Sequence, residues 1–481
     1  MGAFLLYDDE SAVRLLLPRL NIPCGTRLIV PNRGQHKMTV AIPWGLRRGP
    51  EELGFTRMLN PARQVEKSRN RSWIKDTLER AGLSVLSENT DICGNGESFV
   101  WSRELRVPVF HLEALAVFAD RKPAHLNLSL LNVAHSEEYE ELPPDTSAIA
   151  RRAARLAVRA VYALGLDFGI VTLVRLSDGK TVIKDVNPEP FLDRRLGELF
   201  AEAINRYHES LKSELSRGKE AILGADPEFV LVDGNGKVVP AARFFPMRGR
   251  LGCDSLRIGG GRLVYPLVEL RPDPSPEPKQ LILQMTWLMR KAADQIGEAD
   301  LAWLAGGMPV KGFPLGGHIH LSRIWLNGFL LRALDNYLAL SLAAIEDDST
   351  AARRPRYGFP GDFLRKSHGG FEYRTPPSWL VASDIAKGAL ALSKIIAEHY
   401  WELNSRPLDL ETVHEAYYRG NKFALLPIAR KLWAEIESTA SYAKYSSFLA
   451  PLKRRLETFQ TWNEREDFRD SWHIPRITQP M

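Results

Sequence analysis

Two histidines and a serine, each two positions apart, are the residues of this 481-residue sequence that most clearly indicate a functional site. The segment Gly316–Ser322 reads GGHIHLS, in which His318, His320 and Ser322 alternate with apolar residues. A strand sends alternate side chains to one face, so these three polar groups should converge. The two leading glycines let another backbone or a ligand come close. Taken alone, the histidine pair fits a metal site, a phosphate site or a hydrogen-bonded pair in the core.

Carboxylates with the same spacing open another predicted strand. Gly224–Val232 (GADPEFVLV) places Asp226 and Glu228 on one face as the chain enters an apolar run. A later apolar strand carries Glu269, which must be paired, protonated or bound to metal because an unpaired buried charge is costly. Arg271 follows two residues later on the same face, so both an ion pair and a metal site remain open for Glu269.

A further predicted strand adds an acid and a base. Glu372 alternates with Arg374 directly after two glycines, and Arg365 and Lys366 precede them by one loop. One face of a sheet would then carry Asp226, Glu228, Glu269, His318 and Glu372, flanked by Arg374, Arg365 and His320. A ligand set dominated by carboxylates favours Mg²⁺ or Mn²⁺ over Zn²⁺, and cations beside it suit phosphoryl transfer.

These motifs resemble those of the glutamine synthetase-like carboxylate-amine ligase superfamily, and particularly of its phage-type amidoligase branch. Gly224–Phe229 resembles the GxEPEF signature with aspartate as its first acid, Gly317–Ser322 resembles GHxHxS, and Glu372–Arg374 resembles ExR. The resemblance covers about residues 221–400 and implies an antiparallel-sheet catalytic domain. The implied reaction joins a carboxylate and an amine into an amide, driven by ATP through an acyl phosphate.

The resemblance also implies a role for each site residue. The metal ligands would fall into two sets, Glu228 and Glu269 for one Mg²⁺ or Mn²⁺ ion and Asp226, His318 and Glu372 for a second. His320 and Ser322 would contact ATP phosphate. Arg374 would steady the transferred phosphoryl group, and Arg365 and Lys366 are further candidate catalytic cations.

The first half of the chain contains a second polar set at the end of a predicted hairpin. Asp167–Pro190 reads as two apolar strands joined by Ser177-Asp178-Gly179, a hairpin turn signal. Asp185 and Asn187 end the second strand on one face, with Asp167 expected nearby. They would form an oxygen set suited to Mg²⁺ that bridges the phosphates of a nucleotide.

About residues 40–200 resemble the C-terminal part of an ATP-grasp ligase. In that family the acid and the asparagine of such a hairpin hold Mg-ATP. Arg103 and Arg106 lie in a predicted strand that resembles the family's phosphate-binding strand. The usual lid is shortened to residues 86–102 and lacks the lysine that binds the α-phosphate in that family. This half is therefore expected to be either a second active ligase domain or one that has lost its activity.

Helical periodicity predicts the elements that support these sites. Asn60–Gly82 is predicted as one helix, with Asn60 as its cap and Pro61 in its first turn. The loop DICGNGE at residues 91–97 predicts a plain turn. Further helices are predicted over residues 147–164, 196–220, 279–297, 327–347, 385–403, 410–418, 424–441 and 446–462.

Together these elements predict an α+β protein with two domains. Residues 1–215 would form an ATP-grasp-like α/β domain with a shortened lid. Residues 216–481 would form a glutamine synthetase-like antiparallel-sheet domain, with a core over 221–400 and a helical cover over 401–481. The chain length is enough for about two or three ordinary domains.

Composition argues against several other classes of protein. The net charge is +6, but the basic residues are scattered among acids, which argues against nucleic-acid binding and fits an anionic small substrate. The three cysteines are far apart, which argues against a disulfide framework or a zinc ribbon. No apolar run reaches the roughly 20 residues needed to span a bilayer. Residues 1–10 lack the features of a secretion signal, so we expect a cytoplasmic protein.

Two alternatives use the same residues. A zinc-dependent hydrolase could use His318 and His320, although such sites usually recruit further histidines or cysteines. A non-catalytic scaffold or nucleic-acid binder would have no affinity for Mg-ATP, and binding to DNA or RNA would depend steeply on salt. The sequence leaves open the identity of the carboxylate and amine substrates, small molecules or peptides, and whether the chain forms an oligomer.

Overall fold

The chain divides into two compact units, Met1–Arg217 and Gly218–Met481. The computed structural model describes residues 2–26, 39–45, 57–86, 101–121, 139–218, 220–257, 261–297 and 300–476. The predicted turn at residues 91–97 therefore lies outside the described residues.

The first unit contains two sheets among its described residues. Its strands are β1 (Gly2–Tyr7), β2 (Cys24–Gly25), β3 (Thr39–Trp44), β4 (Arg57–Met58), β5 (Trp101–Phe110), β6 (Glu113–Ala114), β7 (Val117–Asp120), β8 (Tyr139–Leu142), β9 (Phe168–Leu176) and β10 (Thr181–Asn187). Its helices are α1 (Glu10–Val13), α2 (Ala62–Lys67), α3 (Arg71–Arg80), α4 (Ala148–Ala163) and α5 (Arg194–Ser216). One sheet is parallel with the order β2-β1-β3-β4, and the other is antiparallel with the order β10-β9-β5-β7-β8 and β6 beside β5.

Helix α4 covers one face of the antiparallel sheet. Ala153 and Ala157 are fully buried at helical spacing and belong to the same core cluster as Leu105 and Val107 of β5. Ser147 begins the helix, since its side chain accepts a hydrogen bond from the Ala150 amide at 3.0 Å. Because strand side chains alternate, the residues between Leu105 and Val107 must point to the opposite face.

The predicted single helix Asn60–Gly82 is wrong, because the structure has α2 and α3 with a break between them. Asn70 caps α3 by accepting a hydrogen bond from the Trp73 amide at 3.2 Å. Asn60 does not cap α2. Its backbone has a φ of 42°, and its side-chain oxygen accepts from the Asp167 amide at 2.6 Å. Helix propensity assigns Asn60 to a cap, but its side chain instead makes a tertiary contact with Asp167, which is far away in the sequence.

The second unit is built on one antiparallel sheet. Its strands are β11 (Ile222–Val232), β12 (Val238–Val239), β13 (Leu251–Arg257), β14 (Leu263–Leu270), β15 (Ala302–Leu304), β16 (Gly317–Ser322), β17 (Phe363–Arg365) and β18 (Phe371–Tyr373). Among the described residues the order is β13-β14-β11-β16-β18-β17, and β12 and β15 also pair with β11. The central strand β11 thus lies between the strand that carries Glu269 and the strand that carries the histidines.

Helices cover this sheet. They are α6 (Pro278–Ile296), α7 (Gly328–Ala333), α8 (Leu340–Ala343), α9 (Ser383–His399), α10 (Glu411–Arg419), α11 (Lys422–Glu437), α12 (Tyr442–Thr458) and α13 (Arg469–Trp472). A π-helical turn over Leu334–Ala339 joins α7 to α8, so the predicted helix over 327–347 is present with a widened middle. Phe229 of β11 stacks on Trp303 of β15 with ring centroids 4.8 Å apart, and Phe468 packs edge-on at 5.3 Å from Phe229.

The predicted α+β class is confirmed by the combination of helices with antiparallel sheets in both units. The helices predicted near residues 147–164, 196–220, 385–403, 410–418, 424–441 and 446–462 are present, with ends shifted by a few residues. Among the helices that the structure describes, none is long and apolar enough to cross a membrane.

Candidate active site

Strand β16 carries both histidines on one face. His318 and His320 alternate with Ile319 and Leu321, which are buried in the hydrophobic core. Ser322 ends the strand on the same face as the histidines. Its Cβ lies close to Gly370, since a Cβ at that glycine would be 3.1 Å away. The alternation seen in the sequence therefore gives three polar groups on one side of the sheet.

The two glycines before His318 allow close packing. A side chain at Gly316 would overlap the His318 ring, and a Cβ at Gly317 would lie 2.7 Å from Trp379 Nε1. Trp379 Nε1 donates a hydrogen bond to the Gly317 carbonyl at 2.8 Å. Glycine is therefore required at both positions for the imidazole and the indole to approach the backbone.

Strand β11 places an acid directly against the histidines. Asp226 is the register partner of His318. Asp226 Oδ1 lies 3.3 Å from His318 Nδ1, and Asp226 Oδ2 lies 2.9 Å from His320 Nε2. Since Asp226 and His318 are both buried, these contacts are formed largely away from water.

Strand β18 adds a second acid to the same imidazole. Glu372 Oε1 lies 3.2 Å from His318 Nδ1 and 3.2 Å from Arg374 Nε. Lys366, which follows β17, forms an ion pair with the other oxygen of Glu372. Glu372 is buried, and its carboxylate lies between the His318 imidazole and the cationic groups of Arg374 and Lys366.

The opposite face of β18 is anchored to a helix. Tyr373 is fully buried, and its hydroxyl donates to Asp335 Oδ1 at 2.7 Å, in the π-helical turn. Because Tyr373 alternates with Glu372 and Arg374, this anchor keeps the acid and the arginine on the histidine side.

The residues present fit a divalent cation. Ligand atoms of Asp226, His318 and Glu372 all lie within 4.8 Å of one another. Asp226 Oδ1 and His320 Nε2 are buried without a well-aligned hydrogen bond to any residue that the structure describes. Buried polar atoms of this kind usually have a partner, and a bound ion would supply one. Two carboxylates with one imidazole suit Mg²⁺ or Mn²⁺.

A comparison with protein families assigns the second unit. Residues 223–474 match the family described as phage phiEco32-like COOH.NH2 ligase-type 2, which is just over half of the chain. The chain belongs to this ligase family. It is therefore an ATP-dependent carbon–nitrogen ligase, as the motifs predict.

Solved structures of ATP-grasp ligases and related enzymes are also similar to part of this ligase. The macrocyclase MdnC from Microcystis aeruginosa MRC, bound with precursor peptide MdnA, shares 10% identity over 43% of this chain and 99% of its own, with a TM-score of 0.29. The ATP-grasp ligase PsnB complexed with minimal precursor, Mg and ADP shares 12% identity over 43% and 97%, with a TM-score of 0.30. D-alanine–D-alanine ligase from Bacillus anthracis, complexed with ATP, shares 11% identity over 44% and 97%, with a TM-score of 0.29. No curated protein matches the chain.

A second pair of acids lies in this ligase next to the cluster of Asp226, His318 and Glu372. Glu228 and Glu269 are direct partners between β11 and β14, and both are buried. Glu228 Oε2 accepts a hydrogen bond from the Gly316 amide at 2.7 Å. Glu269 forms an ion pair with Arg271, so the ionic partner considered from the sequence is present.

Burial and charge shift the protonation of this site. Burial raises the pKa of the Glu228 carboxyl to about 7. Burial lowers the pKa of His318, but the contact with Asp226 and the charge of Glu228 outweigh it and raise that pKa to about 9. Burial opposes ionisation of Asp226, yet the two histidines hold its pKa well below the usual value. Burial, followed by the charge of Asp226, raises the pKa of Glu269 despite Arg271. Without metal, the site therefore carries a protonated imidazole where a divalent cation would otherwise balance the acids.

Arg365 is the one predicted cation of this unit that the structure does not bring to the described cluster. It pairs in register with Phe371, whereas Leu364 pairs with Glu372, so Arg365 lies on the other face of its strand. Its guanidinium lies 5.8 Å from the Phe363 ring centroid.

In the first unit, Arg106 and Asp185 lie on one sheet face. Both are register partners of Thr172 in β9. Asn187, two residues after Asp185, shares that face, and its side-chain oxygen accepts from the Glu189 amide at 2.9 Å. The predicted oxygen pair is thus present, and one of its members also makes a local turn.

The basic residues of this face are already engaged with an acid. Arg106 Nε lies 3.3 Å from Glu104 Oε1, and Lys184 Nζ lies 2.7 Å from Glu104 Oε2. Tyr139 donates to Glu104 Oε1 at 2.8 Å. Arg103 lies on the opposite face because it is three residues from Arg106 along a regular stretch of β5. Its Nε donates to the Asp120 carbonyl at 3.2 Å, away from Asp185.

Sequence reasoning missed the segment that follows Arg374. Ser378 Oγ donates to the Glu228 carbonyl at 2.5 Å, and the neighbouring Trp379 binds the Gly317 carbonyl. This segment therefore ties β11 to β16 at the site. The local signal was a serine and a tryptophan directly after two prolines, which predicts a turn without saying what it contacts.

Proposed function

We propose that the second unit joins a carboxylate to an amine through an acyl phosphate, with Mg²⁺ held by Asp226, His318 and Glu372. The substrates would be peptides or small molecules. The observation that carries the proposal is the convergence of two buried acids on one imidazole nitrogen, with Arg374 and Lys366 beside them.

The reaction fits the charges around Glu372. In the first step a carboxylate oxygen of the substrate attacks the γ-phosphorus of ATP, and ADP leaves. In the transition state the negative charge of the phosphoryl group is distributed over its oxygens, and nearby cations stabilise it. Arg374 and Lys366 would supply that charge, and the bound metal ion would neutralise phosphate oxygens and help to align them.

In the second step the amine nitrogen attacks the acyl carbon and phosphate leaves. The amine loses a proton on the way to the amide, and the leaving phosphate can carry it away. Glu228 lies buried directly opposite Glu269 and would hold a second Mg²⁺ ion together with it, so its loss should stop the first step. His320 lies next to Asp226 and is partly exposed, and its proposed role is to contact a phosphate oxygen of ATP.

A product screen tests the reaction. The purified protein is incubated with ATP, Mg²⁺ and pools of carboxylates and amines, and we expect a product lighter than its two precursors by one water. With the carboxylate labelled with oxygen-18, one label should appear in inorganic phosphate. Label in AMP would instead indicate an acyl adenylate, and product without ATP consumption would contradict the proposal.

Two matched variants assign the reaction to a unit. Glu228→Gln should abolish ADP release by the second unit, whereas Asp185→Asn changes only the first. Full loss with the former and none with the latter would mean that the first unit does not turn over ATP. Loss with both would support two successive couplings. Full activity of Glu228→Gln would overturn the assignment to the second unit.

A further inference from the structure

Helix α6 exposes large apolar side chains on its outer face. Leu283 and Trp287 lie four residues apart, so they are neighbours on one side of the helix. Their exposed fractions are 53% and 52%, whereas Leu281, Met285 and Leu288 of the same helix are buried. Large apolar side chains that cluster on a protein surface often mark the place where a partner binds.

The loop before β13 extends this apolar surface. Gln295 Nε2 of α6 donates to the Phe244 carbonyl at 2.6 Å, and Arg250 Nη2 donates to Gln284 Oε1 at 2.7 Å. Both ends of the loop are therefore held against the helix, and the chain between them runs along it in the opposite direction. Met247, in the middle of this loop, is 59% exposed. We call Met247, Leu283 and Trp287 the tryptophan patch.

Two cations flank the indole ring of the tryptophan patch. The Arg250 guanidinium lies 5.5 Å from the centroid of the Trp287 ring, and Lys291 Nζ lies 5.4 Å from it. A cation within about 6 Å of an aromatic face is attracted to the ring. A partner that covers Trp287 must therefore also meet these two positive charges.

The charge around the tryptophan patch is mostly positive. Arg248, Arg290 and Lys291 are exposed and form no ion pair with any residue that the structure describes. Of the acids on this surface, Asp273 already forms an ion pair with a loop arginine at 3.1 Å, and Asp294 lies about one helical turn beyond Lys291. Basic groups beside an apolar surface favour a partner that has both acidic and apolar side chains.

The tryptophan patch begins next to the second pair of acids. Arg271 Nη1 donates to the carbonyl of Met247 at 3.4 Å and to that of Gly249 at 3.1 Å. The same guanidinium forms an ion pair with Glu269. One arginine side chain thus separates the loop of the patch from this acid. An extended peptide advances roughly 3.3 Å per residue, so a few residues are enough to pass from Met247 to Glu269.

We propose that the tryptophan patch binds an acidic segment of a peptide substrate and so presents a neighbouring part of that peptide to the active site. The inference rests on the proposed function and narrows its substrates to peptides in which glutamate or aspartate lies beside large apolar residues. The patch acts on the affinity for the substrate and makes no contact with the reacting groups.

A second copy of the chain fits this surface less well. Two copies related by a twofold axis would bring the same surface against itself, so Arg248, Arg290 and Lys291 would face their own equivalents. Like charges that meet across an interface are unfavourable. The charge of the surface therefore favours an acidic peptide over self-association.

Fluorescence anisotropy tests the docking step without ATP or metal. The probe is a short fluorescein-labelled peptide of glutamates, leucines and one phenylalanine, into which the full chain is titrated. We expect saturable binding that Trp287→Ala weakens by about fivefold to 30-fold, as for other aromatic residues that anchor an interface. Phe423→Ala is the matched control and should bind as the wild type does, because Phe423 is an exposed aromatic residue of α11. No binding by the wild type, or equal binding by Trp287→Ala, would overturn the proposal.

Charge reversal tests the acidic character of the partner. The same peptide with glutamine in place of glutamate should bind about tenfold more weakly or worse. Changing both Arg290→Glu and Lys291→Glu should make a lysine version of the peptide the tighter ligand. Lys431→Glu, on the exposed side of α11, controls for net charge and should keep the preference for glutamate. Equal affinity of the wild type for the glutamine and glutamate peptides would contradict the proposed chemistry of the partner.

Two further measurements test other occupants of the tryptophan patch. Light scattering at increasing protein concentration detects a dimer, and co-sedimentation with vesicles of phosphatidylglycerol and phosphatidylcholine detects lipid binding. We expect neither to depend on Trp287. A dimer that Trp287→Ala disrupts would assign the patch to self-association, and vesicle binding lost in that variant would assign it to a membrane surface. Either result would overturn the proposal.

Failure of docking can be distinguished from failure of the proposed function. With a peptide substrate from the product screen, Trp287→Ala should raise KM for the peptide by about fivefold to 30-fold and leave kcat and KM for ATP unchanged. An unchanged KM for the peptide would overturn the docking proposal while ligation stands. Peptide binding that depends on Trp287, in a protein that forms no amide, would instead reject the proposed function. Leu283→Gln repeats each measurement, with the same expected direction, if Trp287→Ala does not fold.

Discussion

Asp226 and Glu372 share a single nitrogen of His318, which lies 3.3 Å from one carboxylate and 3.2 Å from the other. One imidazole N–H points well at only one acceptor, so this arrangement leaves an acid incompletely satisfied. The acids come from different strands, and His318 lies on the strand between them. The relationship is therefore produced by strand pairing rather than by local sequence, and an ion coordinated by all three would resolve it.

His318→Gln should remove the nitrogen ligand and the positive charge that it carries without metal. We expect at least about a 100-fold fall in ATP-dependent turnover and a weaker affinity for Mn²⁺, as is common when a metal site is altered. His368→Gln is the matched control, because His368 is exposed on the hairpin between β17 and β18. ADP release and Mn²⁺ titration provide the measurements. Wild-type Mn²⁺ affinity in His318→Gln would contradict the ligand assignment.

Lys366→Ala and Arg365→Ala should differ sharply although the residues are adjacent. Lys366 forms an ion pair with Glu372, whereas Arg365 lies on the other face of the strand. If phosphoryl transfer takes place beside Lys366, as proposed, loss of its charge should lower kcat by about tenfold to 100-fold. The fall with Arg365→Ala should be at least tenfold smaller on the same scale.

The comparison uses kcat and KM from ATP-dependent turnover under saturating Mg²⁺. A fall in kcat for Lys366→Ala with little change in KM for ATP would indicate an interaction made in the transition state. Equal losses in the two variants would mean that the face assignment does not decide catalytic importance.

Much of the second unit could be predicted because alternation along a strand is a local property. It placed His318 and His320 on one face of their strand, and Asp226 and Glu228 on one face of theirs, before any strand pairing was known. Which strands pair, and in which register, could not be predicted from the sequence. Which residue lies opposite His318 depends on how β11 packs in the core, where Phe229 stacks on Trp303 from a distant part of the chain.

Other residues show where local reasoning fails. Arg365 and Lys366 look equivalent in sequence, but β17 ends between them, and only the second turns toward Glu372. Asn60 has the propensity of a helix cap, yet it is used to hold Asp167 across the first unit. Arg103 and Arg106 look like one basic pair, and their spacing of three residues puts them on opposite faces.

Glu464→Gln should destabilise the second unit. This buried acid accepts hydrogen bonds from the amides of Gly307 and Met308 and from the hydroxyls of Ser349 and Thr350. In the glutamine side chain an NH₂ group replaces one of the two acceptor oxygens, so some of these donors would lose their acceptor. The free energy of unfolding should therefore fall by about 2–4 kcal/mol. Urea denaturation followed by circular dichroism measures the change.

The control for Glu464 is Glu466→Gln, since Glu466 is exposed two residues later. It should change the free energy of unfolding by less than about 0.5 kcal/mol. Equal stability of the two variants would show that Glu464 does not hold the segment at Gly307 in place.

Glu104→Gln should make the first unit less stable at neutral pH but not in acid. Burial opposes ionisation of Glu104, yet hydrogen bonds from Lys184 and Tyr139 outweigh it and lower its pKa. A lowered folded-state pKa adds stability that is present above the unfolded-state pKa and is lost as pH falls through the folded-state value. The difference in Tm between the wild type and Glu104→Gln should therefore be largest near pH 7 and should shrink below about pH 4. Differential scanning calorimetry across this range measures it, with Glu79→Gln, on the exposed side of α3, as the control that should show no such pH dependence. A constant difference in Tm at every pH would mean that Glu104 acts through packing rather than through its charge.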